Sequence, residues 1–192
     1  MDFISRFVPS KDTRNYMHSI HHEFNDLEKG REKEYVICSF LDIDGVLNSR
    51  TTCERTPEWH VGIDDLRVAV LAGAINKYGN TEIILSSDWK DLRPEDEDYD
   101  YLISKLEKYG LKLAGKTTDH WHNRGEGILK YLESQPEIDE YVILDDNKFD
   151  FNDYPKLWER LLITNGIERA EFASTTPAIE AIIFRDYIKE VS

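Results

Sequence analysis

The chain has 192 residues, enough for one domain or for one domain with a short arm, and its 40% of hydrophobic residues suffices for a buried core. The 38 Asp and Glu residues against 24 Lys and Arg give a formal net charge of −14, which disfavours broad nonspecific binding of nucleic acid because that affinity comes largely from neutralising phosphates. No apolar stretch approaches the roughly 20 residues that span a bilayer, and the first residues lack the pattern of a signal peptide, so we expect a cytoplasmic protein without a membrane partner.

Residues 1–34 are predicted to form an N-terminal helical arm. A helix is expected at residues 16–29, because Gly30 is a residue that commonly ends helices. The remaining chain, residues 35–192, is predicted to be a single domain. The sequence indicates neither a role for the arm nor an oligomeric state.

Strand and helix patterns alternate from residue 35 onward. Apolar runs predict strands, and apolar residues at helical spacing predict helices. The expected strands are 36–41, 81–85, 111–113, 141–144 and 160–164, and the expected helices are 63–78, 99–109, 125–132 and 177–188. This alternation is typical of a three-layer α/β domain with a mainly parallel sheet.

Two acids and a glycine follow the first predicted strand. Asp42 and Asp44 lie two residues apart, so in an extended chain their side chains point to the same side. Gly45 permits an immediate turn. The strand before them is almost continuously apolar, as in a central parallel strand, and open α/β sheets bind ligands at the carboxyl ends of such strands. Two carboxylates at that position suit a hard cation, whereas the alternative is an ordinary Asp-Gly turn.

Two further strands also end in polar residues. Ser86 and Ser87 follow the strand at 81–85, and Asp145 and Asp146 follow the strand at 141–144. One edge of a parallel sheet would collect all three groups, and carboxylates and a hydroxyl are the residue types that phosphoryl transfer needs.

This ordered set of motifs resembles the haloacid dehalogenase (HAD) superfamily, most of whose members are Mg²⁺-dependent phosphatases. The resemblance extends over roughly residues 35–185. The segments 85–90, 124–128 and 141–146 further resemble the HAD domains found in Swiss-army-knife RNA repair proteins. The resemblance implies a Rossmann-like HAD core.

The resemblance also implies roles for individual residues. Asp42 would be the nucleophile that forms an aspartyl-phosphate, and Asp44 would be the general acid and then the base that activates water. Gly45 would bring a backbone N–H to the phosphate. Ser86 would donate its hydroxyl to a phosphate oxygen, with backbone N–H groups around Ser87 assisting.

A Mg²⁺ cofactor is implied in the same way. Its ligands would be the side chain of Asp42, the backbone carbonyl of Asp44 and one acid of the third motif. Asp146 is the preferred acid, with support from Asp150. Asp145 would then orient the cationic partner or a metal-bound water, although the opposite assignment of the two neighbouring acids stays open.

The family requires a cation to neutralise charge on the transferring phosphoryl group. Arg124, just before a predicted helix, is the first choice, and Lys130 and Lys90 are the alternatives because the usual residue is lysine. A guanidinium can bind phosphate through two parallel hydrogen bonds, so the change is chemically tolerable.

Many relatives carry a cap domain that closes over a small substrate. Only about fifteen residues separate Asn48 from the first predicted helix, too few for a folded domain, so we expect minimal or no cap and a site covered only by the loop 49–62. An open site favours a large substrate, such as a nucleic-acid end or a phosphoprotein, or requires an oligomeric partner as a lid. The acidity of the chain instead favours a small phosphate ester or nucleotide. A catalytically silent interaction protein is the competing function, but the motif acids are intact.

Overall fold

A computed structural model describes residues 36–76, 81–119 and 123–164 of the protein. The strands are β1 Val36–Leu41, β2 Thr81–Leu85, β3 Leu113–Lys116, β4 Ile138–Asp145 and β5 Leu161–Ile163. The α-helices are α1 Asp65–Ile75, α2 Glu97–Glu107 and α3 Arg124–Ser134, and short 3₁₀ helices are formed by Asp88–Asp91, Phe149–Phe151 and Pro155–Arg160. The predicted arm at 1–34 and the predicted helix at 177–188 lie outside the described residues and stay predictions.

The five strands form one sheet in the order β3-β2-β1-β4-β5, and every pairing is parallel. Leu41 at the end of β1 is in register with Leu85 of β2 on one side and with Leu144 of β4 on the other. The residues that follow these three positions therefore emerge at the same level of the sheet edge.

The strand order reverses beside β1. The chain moves outward from β1 to β2 and β3, then returns to the other side of β1 as β4. Because crossover connections are right-handed, the outward path carries α1 and α2 on one face and the return path carries α3 on the other. This arrangement confirms the predicted three-layer, Rossmann-like α/β core, and it creates the switch point at which such folds bind ligands.

The central strand is buried on both faces. Phe40 packs in a cluster with Ile128 of α3, Ile143 of β4 and Phe151, while Leu41 on the opposite face is also fully buried. Burial on both sides explains why β1 is a continuous apolar run rather than an alternating one. In the part of the chain that the structure describes, no helix combines the length and the apolar character needed to span a bilayer.

Several element boundaries differ from the sequence predictions. Helix α1 begins two residues later than expected, because the side chain of Asp64 accepts a hydrogen bond from the backbone N–H of Leu66 (2.8 Å) and caps the helix. Strand β3 is shifted to Leu113–Lys116, because the N–H of Leu111 donates to the carbonyl of Leu106 (3.1 Å) in the turn that ends α2. Capping and turn hydrogen bonds, rather than the apolar pattern, thus determine where α1 and β3 begin.

The loop 49–62 connects β1 to α1 in place of a cap domain, as predicted, and Asp98 of α2 holds it. The Asp98 side chain is 2% exposed. It accepts hydrogen bonds from Thr56 Oγ1 (2.8 Å) and Glu58 N (3.0 Å), and His60 Nδ1 lies 2.9 Å from it. Burial alone would raise the pKa of Asp98, but these bonds outweigh it and hold the pKa below the usual range. The stabilisation is complete near neutrality and is lost as the pH falls through that lowered pKa.

We expect Asp98→Ala to lower the free energy of unfolding by about 1–3 kcal/mol, because buried donors on the loop lose their acceptor. Urea denaturation at neutral pH measures the change, and Asp100→Ala, an exposed acid on the same helix, is the matched control. Equal stabilities of the two variants would show that the loop is held by other contacts.

Candidate active site

The three polar strand ends meet at one edge of the sheet. The N–H of Asp42 donates to the carbonyl of Leu144 (2.9 Å), and the N–H of Ser86 donates to the carbonyl of Leu41 (3.0 Å). These bonds continue the parallel pairings of β1 with β4 and of β2 with β1 by one residue past the ends of β1 and β2. The structure therefore brings the first, second and third motifs together at the switch point of the sheet.

Asp42 lies at the centre of this group and is only 1% exposed. Its Oδ2 is 3.0 Å from Nη1 of Arg124, whereas its buried Oδ1 has no hydrogen-bond partner among the described residues. Burial raises the pKa of Asp42, and the positive charge of Arg124 only partly offsets this effect. The carboxylate oxygen without a partner is costly to bury and suits a bound ligand.

Asp145 and Asp146 have different environments. Asp145 is buried, and its oxygens accept hydrogen bonds from Nη1 of Arg124 (2.8 Å) and from the N–H of Asn147 (2.8 Å). Burial and the negative charge of Asp42 raise the pKa of Asp145 to about 7. Asp146 is exposed, and partial burial of its carboxyl raises its pKa as well.

These acids fit a divalent cation. Asp42, Asp145 and Asp146 each offer one oxygen atom within 4.8 Å of the others. Hard cations such as Mg²⁺ bind carboxylate oxygens and keep several waters. The positive charge of a cation would also offset the desolvation and the mutual repulsion that raise the pKa values of these acids. Both oxygens of Asp145 already accept hydrogen bonds within the protein.

Arg124 is the cation that the structure places in this cluster. It is the first residue of α3 and its side chain is 13% exposed. Besides its contacts with Asp42 and Asp145, its Nε lies 3.5 Å from Asp150, and its Nη2 lies 3.9 Å from Asp88. Burial alone would lower the pKa of Arg124, but the surrounding acids raise it, so the guanidinium is permanently charged.

The other two candidate cations have different partners. The ammonium of Lys90 is buried and donates to Asp119 Oδ2 (3.1 Å). Lys130 is 60% exposed and pairs with Glu126 one turn earlier on α3 (2.8 Å). Neither contact involves the acids around Asp42, and the roles predicted for these lysines in substrate binding stay predictions.

The two serines of the second motif are both buried. Ser86 Oγ has no hydrogen-bond partner among the described residues. Ser87 Oγ accepts the N–H of Trp89 (3.4 Å) and caps the 3₁₀ helix Asp88–Asp91. The hydroxyl of Ser86, like Oδ1 of Asp42, is thus a buried polar group that a ligand could satisfy.

Asp44 is held from both sides by residues that the sequence analysis did not single out. Its Oδ1 accepts from Asn48 Nδ2 (2.7 Å) and its Oδ2 accepts from Trp89 Nε1 (3.0 Å). The N–H of Gly45 donates to Asn48 Oδ1 (3.0 Å). The nearness of Asn48 in sequence and its tendency to bond neighbouring backbone were a usable signal. Trp89 lies in the segment 85–90 that carries the family resemblance, but the sequence did not indicate its bond to Asp44.

Position 45 requires glycine for two reasons, its backbone conformation and the close approach of a neighbouring side chain. Its φ is +77°, a conformation that residues with a Cβ rarely adopt. A Cβ there would also lie 2.0 Å from Oδ2 of Asp146. The glycine therefore allows the third-motif acid to approach the turn of the first motif.

A family model described as HAD domain in Swiss Army Knife RNA repair proteins matches residues 38–168, more than half of the 192 residues. A search of the curated proteins found no significant match, and a search of the solved structures found none either. The family match confirms the resemblance predicted from the motifs.

Proposed function

The chain belongs to the family of HAD domains in Swiss Army Knife RNA repair proteins, and on this premise we propose that it is a Mg²⁺-dependent phosphatase that hydrolyses phosphate monoesters. Members of the HAD superfamily are generally phosphatases. The observation that carries the proposal is the buried carboxylate of Asp42, with one oxygen on Arg124 and the other without a partner among the described residues.

The proposed reaction has two steps. In the first, a carboxylate oxygen of Asp42 bonds to phosphorus while the bond to the ester oxygen breaks, and Asp44 donates a proton to the leaving oxygen. In the second, Asp44 takes a proton from a water that attacks phosphorus, and inorganic phosphate leaves as Asp42 is regenerated. The hydrogen bonds from Asn48 and Trp89 fix the orientation of Asp44, and as donors to its carboxylate they favour the ionised form that acts as the base in the second step.

Arg124 and Ser86 would stabilise the phosphoryl group during both steps. The guanidinium neutralises charge on the phosphoryl oxygens, and its pairing with Asp145 keeps it in place without a chemical role for that acid. The hydroxyl of Ser86 donates to a phosphoryl oxygen, with backbone N–H groups near Ser87 assisting.

The metal would be held by Asp42, Asp146 and the backbone carbonyl of Asp44, with Asp150 in support. When bound, Mg²⁺ neutralises negative charge and orients the phosphate against the nucleophile. The approach of Asp146 to Gly45 supports this assignment, because it brings the third-motif acid beside the turn that carries Asp44.

We propose the phosphorylated end of a polynucleotide as the specific substrate. The family description refers to RNA repair proteins, and residues 42–64 between β1 and α1 contain no folded cap domain, which favours a large substrate. A small phosphate ester remains the alternative substrate, since the net charge of −14 opposes extended contact with a polyanion.

The first test of this function uses para-nitrophenyl phosphate. We expect hydrolysis in the presence of Mg²⁺, loss of activity in EDTA, and recovery when excess Mg²⁺ is added back, because the acid cluster needs a cation to accept a phosphate dianion. A rate that does not respond to EDTA would contradict the metal dependence.

A second test replaces Gly45 by alanine. We expect roughly a 10²-fold loss of activity, because the new Cβ displaces Asp146 and small misplacements at a reacting centre have large effects. Gly110→Ala is the control, since Gly110 also has a positive φ (+73°), but the nearest described atom that its Cβ would meet belongs to Asn76, at 3.7 Å. Similar activity of the two variants would mean that the closeness of Gly45 to Asp146 is unimportant.

A further inference from the structure

A cavity of about 230 Å³ shares Trp89 with the proposed phosphate site, since Trp89 lines the cavity and bonds Asp44. We infer that it binds the nucleobase attached to the substrate phosphate, an inference that rests on the proposed phosphatase function. Its lining includes the aromatic residues Trp89 and Tyr99 and the apolar residues Leu92, Pro94 and Leu113.

Trp89 connects the cavity to the reacting groups. Trp89 lines the cavity, and its Nε1 donates to Oδ2 of Asp44 (3.0 Å), the proposed general acid. Leu85, another lining residue, directly precedes Ser86 of the phosphate site. A ring carried on the leaving side of the phosphate ester and bound in this cavity would contact Trp89, which in turn bonds Asp44.

The chemistry of the lining favours a flat, uncharged ring. Two lysines also line the cavity, but Lys90 donates to Asp119 and Lys116 donates to the carbonyl of Lys90. Aromatic side chains bind nucleobases by stacking, which tolerates any base because every base has a π-face. The lining predicts affinity for a base without strong preference among the four.

The size of the cavity limits what enters. Pockets for drug-sized ligands occupy roughly 300–1,000 Å³, and this cavity of about 230 Å³ is smaller. It fits a single ring system and excludes two stacked nucleotides. Only the terminal base of a strand, or the base of a free nucleotide, would occupy it.

The surrounding charge supports the same occupant. The segment 91–100 supplies three of the lining residues and also carries exposed acids, among them Asp91, Glu95 and Asp100. These acids repel a second phosphate, so the rest of a bound strand must leave in another direction. Recognition through the base rather than through many phosphates reconciles a nucleotide substrate with the net charge of −14.

The test compares substrates with and without a base on the full chain. We would measure kcat/KM for adenosine 5′-monophosphate against ribose 5-phosphate, and for 5′- and 3′-phosphorylated oligonucleotides against the same strands with an abasic terminal nucleotide. We expect the base to raise kcat/KM about tenfold or more, the size of effect that one stacked base provides.

Tyr99→Ala separates the cavity from the reaction. We expect it to lose about tenfold on base-bearing substrates and little on baseless ones, and Tyr99→Phe to retain the preference because the ring remains. Tyr109→Ala, a similarly half-buried tyrosine just beyond the end of α2, is the matched control and should change neither. Equal kcat/KM with and without the base in the unmodified protein, or equal effects of Tyr99→Ala and Tyr109→Ala, would overturn the inference.

The substrate comparisons also distinguish a strand end from a free nucleotide as the source of the base, and they distinguish failure of the base-binding inference from failure of the proposed phosphatase function. A preference for oligonucleotides indicates a strand end, and an equal rate on adenosine monophosphate indicates a free nucleotide. If no phosphate ester is hydrolysed, the proposed function fails. Tryptophan fluorescence titrations then still show whether the cavity binds a nucleobase. Tighter binding of adenosine monophosphate than of ribose 5-phosphate, lost in Tyr99→Ala, would support it, and equal binding would overturn it.

Discussion

Asp42→Asn is expected to abolish phosphatase turnover, with a loss of roughly 10⁴-fold or more, because removal of a covalent nucleophile is among the largest single-residue effects. An amide of the same size occupies the site but does not form the aspartyl-phosphate. The fold should persist, because burial raises the pKa of Asp42, which means that its charge is costly in the folded state. Arg124 keeps Asp145 and Asp150 as partners in the variant.

Activity and stability must be measured together for this variant. We expect the free energy of unfolding in urea to be equal to or higher than that of the unmodified protein, while kcat/KM falls to background. Asp153→Asn, which makes the same chemical change at an exposed position, should leave both unchanged. Full activity of Asp42→Asn would remove Asp42 from the mechanism.

Arg124→Ala is expected to lower kcat by roughly 10²-fold, the loss typical of one electrostatic donor to a developing charge. Lysine at position 124 should recover part of the activity, since it restores a point charge but not the planar pair of donors. Lys130→Ala is the control, because Lys130 is exposed and paired with Glu126. If Lys130→Ala lowers kcat and Arg124→Ala does not, the phosphate-binding cation is Lys130.

The pH dependence of Arg124→Ala provides a separate readout. The charge of Arg124 lowers the pKa values of Asp42 and Asp145, so its removal should raise both. More alkaline conditions are then needed to ionise these acids, and the acidic limb of the pH–rate profile should move to higher pH. An unchanged acidic limb would show that these acids do not control the rate.

Much of the fold was predictable because its signals are local. β1 is almost continuously apolar, and β2 and β4 contain the apolar runs 83–85 and 141–144. Polar residues follow each run directly, so strand type and the position of the site could both be inferred. The boundaries of α1 and β3 were less accurate because capping and turn hydrogen bonds set them.

The contacts that shape the site were not predictable in the same way. The bond from Trp89 to Asp44 joins residues 45 positions apart, and the bond from Lys90 to Asp119 joins residues 29 apart. Such pairs depend on how helices and loops pack on the sheet. The sequence likewise left three cations open, whereas the position of Arg124 at the start of α3 puts its side chain against Asp42.

The most direct measurement of the central claim is acid-quenched mass spectrometry of the Asp44→Asn variant incubated with para-nitrophenyl phosphate and Mg²⁺. Nitrophenolate leaves without a proton from residue 44, but hydrolysis of the aspartyl-phosphate needs the lost base, so the intermediate should accumulate. We predict a phosphoryl group on the peptide that contains Asp42. Turnover with the phosphoryl group on another residue, or a burst of nitrophenolate with no phosphoryl group on the protein, would contradict the account.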